Sequence, residues 1–274
     1  MGRRQRAVFA NLAAHSPLHP AKAMLNLITH DAIVEINMAR PPVNALNVDL
    51  LRAIRHAVDN AVAGGARGIV FSGLPGMFSA GVDVPSLLGR DREGVRDFWR
   101  EFFATCSKLA MSPVPTVAAI TGHSPAGGAV LSLFCDYRVM AEGPFRIGLN
   151  EVQVGLVVPE SIQMALRRIV GGYRAERLMV AGAMVESADA LLFGLVDEVT
   201  NVEQVVTRAL VWMQGMIALP TNAMLKTRAI ARADLINVWA DPEQLPIDEF
   251  VDAYFHPETQ AVLEKLVARL KKKD

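Results

Sequence analysis

The 274-residue chain has no excess of either charge, with Lys plus Arg and Asp plus Glu at 28 each. That balance provides no global field to recruit nucleic acid or an acidic membrane surface. Cysteine is nearly absent. Cys106 and Cys135 are the only two, and both lie in apolar, helix-like segments. They make no disulfide framework and read as reduced core residues of a reducing compartment. The six histidines are scattered without ligand spacing, so no metal centre is indicated. No G-x-G-x-x-G fingerprint occurs, so a nicotinamide cofactor is not indicated either. Long apolar runs are missing too. Residues 111–135 carry no charge, but Pro113, Pro115, Pro125 and the Thr-Gly-His-Ser turn at 121–124 interrupt them. No run approaches the ~20 apolar residues a membrane span needs. No internal repeat or low-complexity tract is visible.

The first 23 residues are basic and lack acid, with Arg3, Arg4 and Arg6 ahead of an Ala-rich stretch. They fit a disordered extension, an upstream start before Met24, or loosely an organelle transit peptide. From Met24 the chain alternates β and α signals, which argues an α/β fold. Residues 32–38 alternate as a half-buried strand. Asn47 can cap a helix over 48–63 whose apolar face is Leu50, Leu51, Ile54, Ala57, Val58 and Ala61. Residues 68–72 form a short strand. Asp91 can cap a helix to about Leu109, with Glu93 in its first turn. Pro220 marks the boundary between a core domain, 24–219, and a region at 220–274 that reads as helical only.

The stretch 114–135 organises the rest. Val114 to Ile120 reads as a buried strand, residues 121–125 as turn chemistry, and Ala126-Gly127-Gly128 opens a buried helix over 129–135. A strand feeding a glycine-rich turn and a helix aims free backbone N–H groups at one point. Glycine lets a ligand approach without meeting a Cβ. An anion or a developing oxyanion is the natural guest. Taken alone, tight strand–helix packing explains the stretch equally well.

Further pieces resolve that ambiguity. Arg40-Pro41-Pro42-Val43-Asn44-Ala45-Leu46 is followed by Phe78-Ser79-Ala80-Gly81-Val82-Asp83, then by Gly122 to Gly128. Cys135-Asp136-Tyr137-Arg138 and Gly148-Leu149-Asn150-Glu151 complete the series. In that order and spacing the sequence resembles the crotonase superfamily, and within it the mitochondrial-type enoyl-CoA delta isomerases, from about Leu27 to the C-terminus. The resemblance implies a spiral of β-β-α turns with a helical C-terminal region. It implies homotrimers, sometimes paired as hexamers, in a bacterial cytoplasm or the mitochondrial matrix. It also implies an acyl-CoA thioester substrate; CoA arrives as part of that substrate, and no separate cofactor is called for.

The same resemblance assigns roles. Removing a proton from the α-carbon of a thioester gives an enolate, whose charge needs fixed donors. The two oxyanion-hole donors are the backbone N–H groups of Val82 and Gly127. Ala80, Gly81 and Gly128 flank them as substrate-binding positions. Glu151 is the base; its apolar neighbours Ile147, Leu149, Val152 and Val154 would bury it and raise its pKa. Asp83 reads as a cap or loop tie and Asp136 as structural. Glu160 reads as an acid at a helix N-terminus, and His123 as a loop histidine. Hydratases of the superfamily carry a second glutamate where this chain has Val130. Water addition normally needs that second acid–base group, whereas one carboxylate can take a proton from C2 and return it at C4. The expected reaction is therefore conversion of 3-enoyl-CoA to trans-2-enoyl-CoA in β-oxidation of unsaturated fatty acids. The alternatives are another crotonase-type hydratase, hydrolase or decarboxylase, or a non-catalytic acyl-CoA-binding protein.

Overall fold

A computed structural model describes residues 24–239 and 245–271. The basic extension over 1–23 lies outside them. β1 (Leu25–His30) and β2 (Ile33–Met38) form an antiparallel hairpin. Then comes α1 (Val48–Ala63), capped by Asn47, whose Oδ1 accepts from the Leu50 amide at 2.9 Å. The apolar face read from the sequence is the face it buries.

Three β-β-α turns follow. The first is β3 (Gly68–Ser72), β4 (Gly76–Met77) and the helices α2 (Val84–Leu87) and α3 (Arg92–Ala110). The second is β5 (Thr116–Ile120), β6 (Gly122–Pro125) and α4 (Gly127–Leu133). The third is β7 (Tyr137–Ala141), β8 (Arg146–Gly148), a 3-10 turn at Glu151–Val154, α5 (Glu160–Val170) and α6 (Gly172–Val180). In each turn the first strand enters a six-stranded sheet and the second a four-stranded one. β9 (Val185–Glu186), α7 (Ser187–Leu192), β10 (Glu198–Thr200) and α8 (Val205–Ile217) close the core. The sheet orders are β1-β2-β3-β5-β7-β10 and β4-β6-β8-β9.

The large sheet is parallel from β2 to β10, and both of its faces are covered. This is why β3 and β5 are buried at every position and read as continuous apolar runs. Ile69, Phe71, Ala118 and Ile120 point into the main core. The alternate residues Val70, Val117 and Val139 meet Val205, Ala209 and Met213 of α8 on the other side.

After Pro220 every described element is a helix: α9 (Thr221–Ala231), α10 (Ala233–Val238), α11 (Ile247–Tyr254) and α12 (Pro257–Leu270). Asp136 anchors them. It accepts from Arg228 at 2.8 and 2.9 Å, from Arg232 at 3.0 Å and from the Thr116 amide at 2.7 Å. Arg232 also donates to the Phe134 carbonyl, just past the end of α4, at 2.7 Å. The structural role read for Asp136 is the one it has.

Two local expectations need correction. Residues 122–125 are a strand rather than a turn, because β6 is held between β4 and β8. Its last residue, Pro125, lies opposite Gly148, whose carbonyl accepts from the next amide, that of Ala126, so the ladder to β8 does not need an N–H on the proline. The helix after it starts at Gly127 instead of 129, because only one residue, Ala126, separates strand from helix.

Candidate active site

The Phe78–Asp83 turn is fixed by backbone bonds on both sides. The Phe78 amide donates to the His123 carbonyl at 3.0 Å, and Ala80 to Val43 at 2.9 Å. Leu46 donates to Gly81 at 2.7 Å, and Asp83 back to Leu46 at 2.9 Å. Buried Asn44 donates to the Phe78 carbonyl at 3.0 Å, and Ser79 Oγ to the Asn44 carbonyl at 2.7 Å. Asp83 caps α2 through the Ser86 amide and pairs with Arg40 at 2.6 Å, so it is spent on holding the loop. These bonds leave the Val82 amide with no acceptor among the described residues.

The second turn is Ala126. It holds φ 45° and ψ −120°, a conformation alanine rarely adopts and one that costs of order 1–3 kcal/mol. Its amide donates to the Gly148 carbonyl at 2.8 Å. The bend aims the first amide of α4, that of Gly127, out of the helix, where it has no intrahelical acceptor.

β8 runs parallel to β6, with Pro125 opposite Gly148. Three residues on, the chain delivers Glu151 beside the second turn. Glu151 opens the 3-10 turn, which Gly155 ends in the left-handed region. The residue as a whole is half-buried, yet its Oε2 is buried without a hydrogen-bond partner. Burial pushes the carboxyl up from 4.5 to about 7, against a smaller opposing hydrogen bond from its own backbone amide.

These groups share one cavity of about 530 Å³. Ala80, Val82, Ala126, Gly127 and Glu151 all line it, and Glu151 is its only carboxylate among the described residues. Gly81 and Gly128 do not line it; they stand behind, where a Cβ on Gly128 would come within 2.6 Å of the Ser79 carbonyl. His123 is elsewhere: Nδ1 accepts from the Arg146 amide at 3.2 Å and its ring lies edge-on to Phe145. Glu160 is exposed in the first turn of α5, paired with Arg167 at 2.7 Å. Val130 is fully buried on α4 and does not reach the cavity. Among the described residues no group of three His, Cys, Asp or Glu side chains could hold a metal ion.

Sequence reasoning missed the far walls, apart from Lys265, which could meet CoA phosphates but reads in the sequence as part of a solvated helix end. Trp99 and Phe102 of α3 and Phe250 of α11 line the cavity, as do Lys265 and Arg269 of α12. Lys265 and Arg269 are exposed and four residues apart, on one face of the helix. That spacing is visible in the sequence, but not the fold-back that brings α12 to the cavity. Asn150 Oδ1 and Trp99 Nε1, both of residues lining the cavity, are buried without a partner.

The model of the family described as Enoyl-CoA hydratase/isomerase matches residues 29–266. The chain is 31% identical over 242 residues to human mitochondrial enoyl-CoA delta isomerase 1, covering 87% of this chain and 80% of that protein. It is 30% identical over 199 residues to a probable enoyl-CoA hydratase of Mycobacterium avium, covering 70% and 75%. In structure it is similar to human mitochondrial delta3-delta2-enoyl-CoA isomerase. There the TM-score is 0.87 at 29% identity, with 92% of this chain and all of that one covered. An enoyl-CoA hydratase from Mycobacterium ulcerans superposes with a TM-score of 0.77 at 27% identity, covering 85% and 100%. The β-β-α spiral, the two glycine turns sharing a cavity with the Glu151 carboxyl, and these matches agree: the chain belongs to the enoyl-CoA hydratase/isomerase family.

Proposed function

We propose that the protein moves the double bond of 3-enoyl-CoA thioesters to give trans-2-enoyl-CoA, as β-oxidation of unsaturated fatty acids requires. The observation that carries this reading is that, among the described residues, a single carboxylate, Glu151, shares one largely apolar cavity with two backbone amides that have no acceptor. The thioester oxygen accepts from the Val82 and Gly127 amides. Glu151 removes a proton from C2, and the electron pair moves onto the carbonyl oxygen as a dienolate. The amides stabilise that charge most where it is largest, in the transition state. As the carbonyl re-forms, the double bond settles between C2 and C3, and Glu151 returns its proton to C4. A carboxyl titrating near 7 suits both halves of the cycle.

Hydration is disfavoured because, among the described residues, no second carboxylate faces the cavity and Val130 is sealed in the core. Lys265 and Arg269 complement an anionic CoA. The working form in this reading is a homotrimer or a pair of trimers, in a bacterial cytoplasm or the mitochondrial matrix. No described helix is long and apolar enough to cross a membrane.

A turnover assay with 3-hexenoyl-CoA tests the reading, since the conjugated 2-enoyl thioester absorbs where the 3-enoyl isomer does not. Growth of that absorbance supports it. Rapid appearance of 3-hydroxyacyl-CoA from 2-enoyl-CoA would replace it with a hydratase.

A further inference from the structure

Among the described residues no other side chain holds the Glu151 carboxyl. Oε2 has no hydrogen-bond partner, and the bond to the carboxyl comes from the residue's own amide. Its position is therefore set by the backbone that carries it, the four-residue 3-10 turn Glu151–Val154. Such turns are short and their hydrogen-bond geometry is poorer than that of an α-helix, so ties from outside decide where this one stands. Two side-chain ties reach it. On one side Gln153 Nε2 donates to the Gly182 carbonyl, between α6 and β9, at 2.9 Å. On the other, Thr259 Oγ1, in the first turn of α12, donates to the Gly155 carbonyl at 2.9 Å. Gln153 is exposed, whereas Thr259 is buried at 1% exposure. There α12 lies directly on the backbone: a Cβ on Gly155 would come within 2.8 Å of Thr259 Oγ1 and 3.0 Å of its Cα.

We infer that Thr259 is a positioning residue for the proposed reaction: its hydroxyl, through the Gly155 carbonyl, holds the Glu151–Val154 turn where the carboxyl meets the substrate carbons. The inference rests on the role given to Glu151 in the proposed isomerisation. Water competes for the bond of exposed Gln153. It does not reach the Thr259 bond, whose loss leaves a buried acceptor unsatisfied. Three residues further along the same face of α12, Val262 lines the cavity, followed by Lys265, Leu266 and Arg269. One helix face thus walls the cavity and grips the turn that carries the base. Proton transfer is sensitive to such a grip, because a displacement of about 1 Å can cost of order a hundredfold in rate. Thr259 acts on kcat without touching a reacting atom.

Three substitutions test this. Thr259→Val replaces the hydroxyl with a methyl of similar size, Thr259→Ala deletes it without filling the space, and Thr259→Ser keeps it. Circular dichroism and sedimentation establish that each variant is folded and assembled as the wild type is. The two deletions are expected to lose at least about tenfold in kcat on 3-hexenoyl-CoA, with hexanoyl-CoA affinity in calorimetry within about threefold of wild type. Their kcat/KM inflection is expected to move down from about 7 toward the ordinary carboxyl value of 4.5, as water reaches the loosened turn. Lys265 and Arg269, the other charged side chains lining the cavity among the described residues, are present in every variant. Thr259→Ser is expected to keep wild-type kcat and inflection. Folded deletions with wild-type kcat overturn the inference. So does a loss of thermal stability with kcat and inflection unmoved, or a Thr259→Ser variant as slow as the other two. Carbon-13 NMR titration of the Glu151 carboxyl, assigned by its loss in Glu151→Gln, reads the same shift without turnover. Absence of isomerisation by wild type would therefore defeat the proposed reaction, while the titration would still decide the role of Thr259.

Discussion

Gly81 and Gly127 touch: a Cβ built on Gly81 would lie 3.1 Å from the Gly127 nitrogen, and one built on Gly127 3.4 Å from the Gly81 Cα. The two turns that carry the proposed oxyanion donors are thus packed directly on each other. Their amides can converge on one oxygen because neither of these residues has a side chain.

Gly81→Ala tests that contact. Position 81 holds φ +78°, and the new Cβ would sit 2.9 Å from the Pro125 carbonyl, a backbone atom that cannot step aside cheaply. Stability is expected to fall by about 1–3 kcal/mol in urea denaturation. Because the turns are pushed apart, kcat is expected to fall further than KM rises. A variant with wild-type stability and kcat would show that the contact is not required.

Gly127→Pro removes one proposed donor. Proline is tolerated at the first helical position, where an N–H has no intrahelical acceptor, although position 127 also packs against Leu46. Circular dichroism must show that the variant is folded. Turnover is then expected to drop about 100- to 1,000-fold, with hexanoyl-CoA affinity in calorimetry changed far less. Near-normal kcat in the folded variant would remove Gly127 from the oxyanion hole.

Asp136→Ala addresses how the C-terminal helices are held. It would leave Arg228 and Arg232, whose side chains are only about a tenth exposed, without their shared carboxylate. Breaking such a buried pair costs roughly 3–5 kcal/mol. Urea denaturation reads the loss directly; a change under 1 kcal/mol would mean the helices are held by packing alone.

What was legible in the sequence was whatever rested on one strong local signal. Asn47 and Asp91 cap the helices they precede, and their side chains accept the amides of Leu50 and Gly94. The α1 face was readable because helical period and burial coincide there. β1 was not foreseen, since this edge strand exposes Leu27 and Ile28 and shows no alternation of burial. β6 was hidden because its Gly, Ser and Pro are turn residues locally and only the neighbouring strands make them a strand. Glu151, Val82 and Gly127 could be named from motif resemblance. Phe250 and Arg269 could not be named, and Lys265 reads in the sequence as a solvated helix end, because all three reach the cavity only through tertiary packing of α11 and α12.

The raised Glu151 carboxyl makes stability depend on pH. Below about pH 4.5 it is neutral in both folded and unfolded chains and imposes no penalty. As pH rises past that value toward about 7, the unfolded chain ionises first and the folded state loses relative stability. The full penalty above pH 7 is roughly 3 kcal/mol. Glu151→Gln lacks it, so its stability advantage over wild type is expected to grow from near zero at pH 4.5 to that order at pH 8. Denaturation series at both pH values check the slope, and a pH-independent difference would contradict a buried, unpaired carboxyl.

The central claim, that Glu151 alone carries the proton from C2 to C4, is tested most directly by kcat of Glu151→Gln on 3-hexenoyl-CoA. Glutamine keeps the shape and the hydrogen-bonding head but cannot accept the proton as a base. The account predicts a loss of more than about a hundredfold in kcat, with hexanoyl-CoA binding largely retained. In the wild type it predicts kcat/KM rising with pH through an inflection near 7, where the carboxyl ionises. Retention of more than about a hundredth of wild-type kcat, a smaller loss than removal of a general base gives, would contradict it.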